Sequence, residues 1–383
     1  ERAPMCGVPF HSADGYIARL VERGYKVAIC EQVEDPKLAK GLVKRDVVRI
    51  ITPGTVIEDS MLEEGKNNYL AALSFDKQSY GLCFTDASTG ECYVTSIALD
   101  KAEHKIINEL SRFRPQELLI EKKLLKQLKA LSDFIDVGFT GVITEREEKS
   151  FNTQNTEGRI LSHFGVVSTE NLDIEAGSSV SAALGAVLEY LYETGVTGNI
   201  SVNQVNVYND DQYVRLDITA VRNLEIIETM RTKSKKGSLL WVLDKTKTAM
   251  GKRLLRSWLI KPLLSITPII ARQNAVEELC SDTVLRGELI ENLNGIRDIE
   301  RIMTKVVYAT ASARDLIAIA DTAAKFPPIK SLLSSANCKM LKEIYSSIDL
   351  LDDIKEIIDN ALNEIRGMRD TWLEVVKRAK SGK

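Results

Sequence analysis

The chain has 383 residues, of which 44% are hydrophobic and 27% charged, with a formal net charge of −3. That length calls for two or three domains with buried cores, and the charge excludes a uniformly basic nucleic-acid binder. No apolar run approaches the roughly 20 residues that span a bilayer, and Glu1-Arg2 begins no signal peptide, so a cytoplasmic protein without a membrane role is expected.

Three sections follow in chain order. In the first, Ser12 is placed to cap a helix through Tyr16, Ile17, Leu20 and Val21 that ends at Gly24. Residues 26–33 and 47–52 are rich in Val and Ile and read as strands. The charged segment 34–45 lies between them, and Pro53-Gly54 marks a turn. A polar linker over 58–68 leads to the second section. There, strands at 80–85 and 91–97 form a hairpin around Asp86-Ala87-Ser88-Thr89-Gly90. A helix over 102–112, a strand at 118–120 and a helix over 124–131 come next. A helix over 181–193 stops before Gly195, and 202–208 reads as a closing strand. Strands alternating with helices imply an α/β sheet. The third section, from Asn209, is helical. Asp217 and Thr267-Pro268 are helix starts. Amphipathic runs cover 269–280, 284–293, 296–308 and 312–325, and Pro327-Pro328 is expected to break the series. The last run, 363–383, is basic and amphipathic. The whole reads as an α/β remnant, then an α/β domain, then an all-α domain.

Few residues carry evident chemistry. The six cysteines, at 6, 30, 83, 92, 280 and 338, show no CxxC pair and no zinc spacing. Reduced thiols are expected, although Cys83 and Cys92 face each other across the hairpin. His104 and His163 have no Cys or carboxylate framework around them, so neither reads as a metal ligand. No Ser/His/Asp or Cys/His catalytic set can be argued from the spacings. Asp86 is a turn residue in its Asp-Ala-Ser-Thr-Gly context, because a nuclease needs several convergent carboxylates. Gly251-Lys252 is followed by Arg253, with Thr246 where a phosphate loop needs its leading Gly. Gly382-Lys383 has Lys377 in that position and no hydroxyl residue after it. Neither supports nucleotide hydrolysis.

Charge is uneven along the chain. Residues 212–262 hold 12 Lys or Arg against 4 Asp or Glu, whereas 341–370 hold 4 against 8. A local basic stripe can attract phosphates even on an acidic protein. Arg231, Lys233, Lys235 and Lys236 form one such patch. Lys37, Lys40, Lys44 and Arg45 form another between two strands, either as a solvated loop or as phosphate contacts that position a duplex without reading it. Pro4, Met5, Pro9, Phe10 and His11 make a turn-rich, partly apolar segment. Met5 and Phe10 either cover a small core or approach a ligand, and His11 either contacts phosphate or caps the following helix.

The wording at 238–263, SLLWVLDKTKTAMGKRLLRSWLIKPL, is the most distinctive part of the chain. Apolar residues recur at helical spacing on both sides of the polar break 244–248. Thr248 can cap the second helix, and Pro262 stops it. This helix-turn-helix corner resembles the start of the core domain of the MutS family of bacterial DNA mismatch-repair proteins. GVPFH, VAICEQVEDP and VVRIITPGT in residues 3–55 look like the end of that family's mismatch-recognition domain. Leu216-Asp217-Ile218-Thr219-Ala220 with Arg222-Asn223-Leu224-Glu225 resembles the entry to its core.

The resemblance implies the C-terminal part of a mismatch-recognition domain over 1–57, a ribonuclease-H-like connector over 67–208, and part of a helical core and lever domain over 209–383. It implies that the segment with Pro4, Met5, Pro9, Phe10 and His11 approaches the minor groove beside a mismatch, where apolar wedges open weak base steps. It also implies that Arg231 to Lys236 lie away from the DNA, in a solvated loop or against an ATPase domain. The family's Phe-x-Glu mismatch probe, its phosphate loop and its clamp domain have no counterpart here. Residues 361–366 also lack the Gly/Pro-containing connection usual before the family's levers. The chain is therefore expected to be an internal fragment that is not itself an enzyme and holds no cofactor. The whole family member is a homodimer that uses ATP and Mg²⁺ and recruits the downstream repair protein MutL through the connector. The rival classes are a ribonuclease-H-like nuclease and a partner-binding scaffold.

Overall fold

The computed structural model describes residues 8–9, 12–34, 43–195, 200–209, 212–214 and 216–361. It divides into two compact units. The first holds 1–244, 253–264 and 303–309, and the second holds 245–252, 265–302 and 310–383.

The first unit begins with helix α1 (Ala13–Glu22) and the antiparallel pair β1 (Val27–Gln32) and β2 (Arg45–Ile51). Ser12 occupies the N-cap position but makes no side-chain cap bond; its amide donates to the Pro9 carbonyl at 2.9 Å. Gly24, at φ 83°, turns the chain out of the helix in the left-handed region that glycine tolerates. The core of this segment is small: Val21, Ile51 and Val56, with Ile17, Val27, Ile29, Met61 and Leu62 packed against them.

A six-stranded sheet follows, in the order β7-β6-β3-β4-β5-β8. Its strands are β3 (Tyr69–Phe75), β4 (Ser79–Asp86), β5 (Cys92–Ala98), β6 (Glu117–Glu121), β7 (Val142–Arg146) and β8 (Asn206–Val207). β3, β4 and β5 are antiparallel neighbours; β6 runs parallel to β3, β7 to β6 and β8 to β5. Helices cover both faces. α2 (Ala102–Phe113) and α4 (Lys129–Val137) pack with Ala71, Leu73, Leu82 and Phe84; α5 (Thr153–Phe164) and α6 (Ser179–Thr194) pack with Leu70, Ala72, Cys83 and Val94. Successive β3 side chains thus enter opposite cores, as strand pleating requires. The expected helix over 124–131 is two helices, α3 (Lys122–Gln127) and α4, broken at Leu128. The expected strand over 202–208 pairs only at Asn206 and Val207.

Further helices of this unit enter the motif region. α7 (Ile218–Asn223) is capped by Asp217, whose carboxylate accepts from the Ala220 amide at 2.6 Å, and α8 (Leu239–Leu243) is capped by Ser238. In α9 (Ala249–Ile260), the Thr248 hydroxyl accepts from the Gly251 amide at 3.0 Å, and the helix ends two residues before Pro262. The division between the units falls within α9.

The second unit is helical, with α10 (Ile266–Ser281), α11 (Thr283–Leu293), the start of α12 (Ile299–Val307), α13 (Ala313–Ala323), α14 (Phe326–Leu333) and α15 (Lys339–Ser347). Ser312 and Asp315 form a capping box at α13. Pro327-Pro328 does not break the helical series. Both prolines occupy the first turn of α14, where a missing N–H leaves no helical bond unmade. The basic run 363–383 lies outside the described residues.

One polar cluster ties the β1–β2 segment to the sheet. Glu117, at the start of β6, is fully buried. Its carboxylate accepts from the Thr52 hydroxyl at 2.5 Å, the Gly54 amide at 3.1 Å, the Thr144 hydroxyl at 2.5 Å and the Tyr190 hydroxyl at 2.7 Å. Lys26 lies 3.3 Å away and donates to both Thr144 and Tyr190 at 2.9 Å. Burial, then the charge of Glu117, pushes the Tyr190 hydroxyl far above its ordinary pKa, so it stays a donor. Gly54 permits the approach, since a Cβ there would lie 2.8 Å from the Glu117 Cβ.

Removing Glu117 takes the shared acceptor from several buried donors, while the partly exposed ammonium of Lys26 keeps its contact with water. Glu117→Ala is expected to cost more than a single lost hydroxyl, on the scale of about 1–3 kcal/mol for each buried donor left unsatisfied. Thr52→Val, which deletes one hydroxyl, is expected to cost about 1 kcal/mol. Urea unfolding of the two variants checks the ranking; equal midpoints for Glu117→Ala and the parent chain would refute it.

Candidate nucleic-acid interface

Of the nine residues expected at DNA, Pro4, Met5, Phe10, His11, Lys37 and Lys40 lie outside the described residues. Pro9, Lys44 and Arg45 are described, and all three are exposed. Pro9 precedes α1 and fixes its start through its carbonyl. Lys44 and Arg45 stand at the far end of the β1–β2 pair. Arg45 opens β2 opposite Gln32, and the Lys44 carbonyl accepts from the Val33 amide at 3.0 Å. The Lys44 amide donates to the Glu34 carboxylate.

The two cations do not stand alone. Glu31 pairs in register with Asp46 beside them, and Glu34 closes the end. Three carboxylates thus flank two cations in the described part of this end. Its own field does not favour phosphate, and any attraction must include Lys37 and Lys40.

The other basic patch is partly neutralised. Residues 231–237 are exposed, and Lys235 pairs with Asp244 at 2.6 Å. Gly237, at φ 98°, turns the chain into the Ser238 cap of α8.

The polar residues of the 238–263 motif have structural partners that spacing did not show. Lys261 directly follows α9, with its ammonium over three aromatic faces: Phe113 at 4.1 Å, Tyr93 at 4.5 Å and Tyr208 at 5.0 Å from the ring centroids. Burial pulls its pKa down to about 8, while the ring quadrupoles favour the cation. Arg253 is buried and donates to the Glu64 carbonyl at 3.2 Å. The one available signal was Lys261 directly before Pro262; its aromatic partners are too far off in sequence to be read.

The remaining candidates resolve into structural roles. Asp86 is fully buried; one carboxylate oxygen accepts from the Ser88 amide and hydroxyl at 2.8 and 2.7 Å, the other from Asn67 and the Asn68 amide at 3.0 Å. It is a turn residue that also holds the linker. His163 donates from Nε2 to the Val202 carbonyl at 2.7 Å, so Nδ1 accepts from the Tyr192 hydroxyl at 2.8 Å. Burial lowers its pKa and keeps the ring neutral. His104 is exposed on α2. Cys83 and Cys92 are free thiols with sulfurs 3.8 Å apart, and burial raises Cys83 well above the usual thiol range. Among the described residues no cluster of His, Cys, Asp or Glu is arranged to hold a metal ion, and no helix is long and apolar enough to cross a membrane.

Comparison with known proteins gives this arrangement its context. Family models match MutS domain I over residues 1–60, MutS domain II over 68–202 and MutS domain III over 219–371. The DNA mismatch repair protein MutS of Acetivibrio thermocellus is 44% identical over 365 residues, covering 94% of this chain and 41% of that protein. The protein of the same name from Ruminiclostridium cellulolyticum is 45% identical over 359 residues, covering 94% and 41%. That of Clostridioides difficile is 41% identical over 365 residues, covering 95% and 37%. The chain thus spans about two fifths of the length of the curated relatives it matches. Three successive domains of one family, in order and at this identity, assign the chain to the MutS family.

Proposed function

We propose that the chain forms the DNA-facing and connecting part of a protein that detects mispaired bases and small loops in DNA mismatch repair. The observation that carries this reading is the unbroken order of MutS domains I, II and III along the chain. The matched ranges support boundaries near 1–57, 67–208 and 209–383. The middle part reads as a ribonuclease-H-like connector, supported by three antiparallel strands followed by two parallel ones in the order β5-β4-β3-β6-β7. The succession of helices after Asn209 supports an all-α core.

In this reading Pro4, Met5, Pro9, Phe10 and His11 meet the minor groove, and Lys37, Lys40, Lys44 and Arg45 contact phosphates. The connector is the surface for MutL, and the whole protein works in the cytoplasm as a homodimer driven by ATP and Mg²⁺. The connector serves as a coupler, not a nuclease; the full engagement of Asp86 by Asn67, Asn68 and Ser88 supports this.

The residues at Gly251-Lys252 do not fit a nucleotide. They lie in the first turn of α9, and the Gly251 amide is already donated to Thr248. A phosphate loop needs such amides free to cradle oxygens. No phosphate release from ATP is therefore expected of the 383-residue chain. Turnover that co-purifies with it through two chromatographic steps would reverse that expectation.

Binding to duplex DNA is expected to be weak, in the range of roughly 10⁻⁴ to 10⁻⁶ M, and to fall as salt rises. Fluorescence anisotropy should give equal affinity for matched and G·T-mismatched duplex, because few phosphate contacts position DNA without reading it. Replacing Lys44 and Arg45 with Ala should flatten the salt slope by about 2. A tenfold preference for the mismatch, about 1.4 kcal/mol, would show that a reading element had been overlooked.

A further inference from the structure

A cavity of about 330 Å³ opens in the first unit, between the C-terminal end of α2, the linker before β3 and the second half of α9. Six cations line it: Lys66, Arg112, Arg114, Arg253, Arg256 and Lys261. Glu63 is the one carboxylate in its wall. Two more carboxylates stand behind the arginines. Glu228 pairs with Arg114 at 3.0 Å, and Glu109 pairs with Arg112 at 2.8 Å. Glu63 pairs with Lys66 at 2.7 Å, and Glu91 adds its charge near Lys261. Cations still outnumber carboxylates in the cavity wall itself.

The surplus centres on Arg256. Its guanidinium is half-buried and has neither a hydrogen bond nor an ion pair among the described residues. Burial, then the neighbouring charge of Arg114, lowers its pKa from the usual arginine value. An arginine never gives up its proton near neutral pH, so the cavity holds a fork of N–H donors that the charges of Glu228 and Glu63 favour from a distance but do not hydrogen-bond. Such a fork matches the oxygens of phosphate, with two parallel charge-assisted bonds. The volume is at the small end of ligand pockets, which run from roughly 300 to 1,000 Å³. It suits a compact anion and not a duplex.

We propose that this cavity binds a small phosphoryl anion, inorganic pyrophosphate or the phosphate tail of a nucleotide, on the guanidinium of Arg256 with Arg114, Arg253 and Lys66 around it. The bound anion neutralises the repulsion between Arg114 and Arg256. It thereby stabilises the packing of α9 against the end of α2, since a ligand held only by the folded state raises its stability.

The 383-residue chain is titrated with sodium pyrophosphate at fixed ionic strength, followed by calorimetry and by the thermal midpoint. Saturable binding with a raised midpoint is expected. Arg256→Gln should weaken it at least tenfold, and Arg256→Lys, which keeps the charge but not the fork, should fall between. A single cooperative unfolding transition without ligand shows that both variants fold. Comparing ATP with inorganic triphosphate distinguishes the source. Tighter binding of ATP points to a nucleotide, and equal binding points to the free anion; both require that Arg256→Gln weaken binding at least tenfold. No saturable binding, equal binding by Arg256→Gln, or displacement of pyrophosphate by a short duplex at stoichiometric amounts would overturn the proposal.

Discussion

The buried carboxylate of Glu117 is the constraint on which the arrangement of the first unit depends. A charge removed from water is tolerated only when hydrogen bonds and an opposite charge replace the lost hydration. Here the replacements come from three places in the chain: Thr52 and Gly54 after β2, Thr144 on β7 and Tyr190 on α6. Lys26 enters from just before β1. Satisfying one buried group thus fixes one end of the β1–β2 pair, where β1 begins and β2 finishes, against the sheet. The segment needs that help. Its own core has only Val21, Ile51 and Val56 fully inside, too little apolar burial to hold a fold alone. The position of Lys44 and Arg45 is therefore inherited from the sheet through Glu117, at the opposite end of the same two strands.

A second tie works by different physics. Lys261 brings a cation to Phe113, Tyr93 and Tyr208, which come from α2, β5 and the residue after β8. Three elements of the sheet layer thereby meet the end of α9. A methylene stem with a cation at its tip packs on ring faces while the charge meets their quadrupoles. Glu117 is a closed and fully paired network, whereas the neighbourhood of Lys261 and Arg256 carries surplus charge. The first locks a geometry; the second leaves the junction responsive to what enters the cavity.

Much of this fold was legible because amphipathic period and punctuation agreed. α1, α2, α6, α10, α11 and α13 fall close to their expected spans, and Asp217 and Thr248 stand where caps belong. β3 was not legible. Its Tyr-Leu-Ala-Ala-Leu-Ser-Phe run has no polar alternation, since both its faces are covered, and such a strand reads as an undirected apolar stretch. β7 and α5 were also unread; α5 contains Gly158 and a polar first turn, which hide its period. Pro327-Pro328 shows the limit of breaker rules, because a proline that ends one helix equally begins the next. The family was legible by the wording of its motifs. What holds it was not, because Glu117 draws on residues from 26 to 190, and no local pattern encodes such a set.

The charge pattern bears on the DNA contacts proposed for the first segment. Arg45 and Lys44 sit among Glu31, Glu34 and Asp46, so the described strand end is close to balanced. Lys235 is spent on Asp244, and Arg253 on a backbone carbonyl. A protein of net charge −3 built this way does not attract polyanions indiscriminately. In the proposed reading, phosphate contacts in such a chain are few in number and weak enough to release a matched duplex. On that proposal, placement by Glu117 and sparse charge serve one requirement: contacts presented in a defined geometry without retention by the backbone they touch.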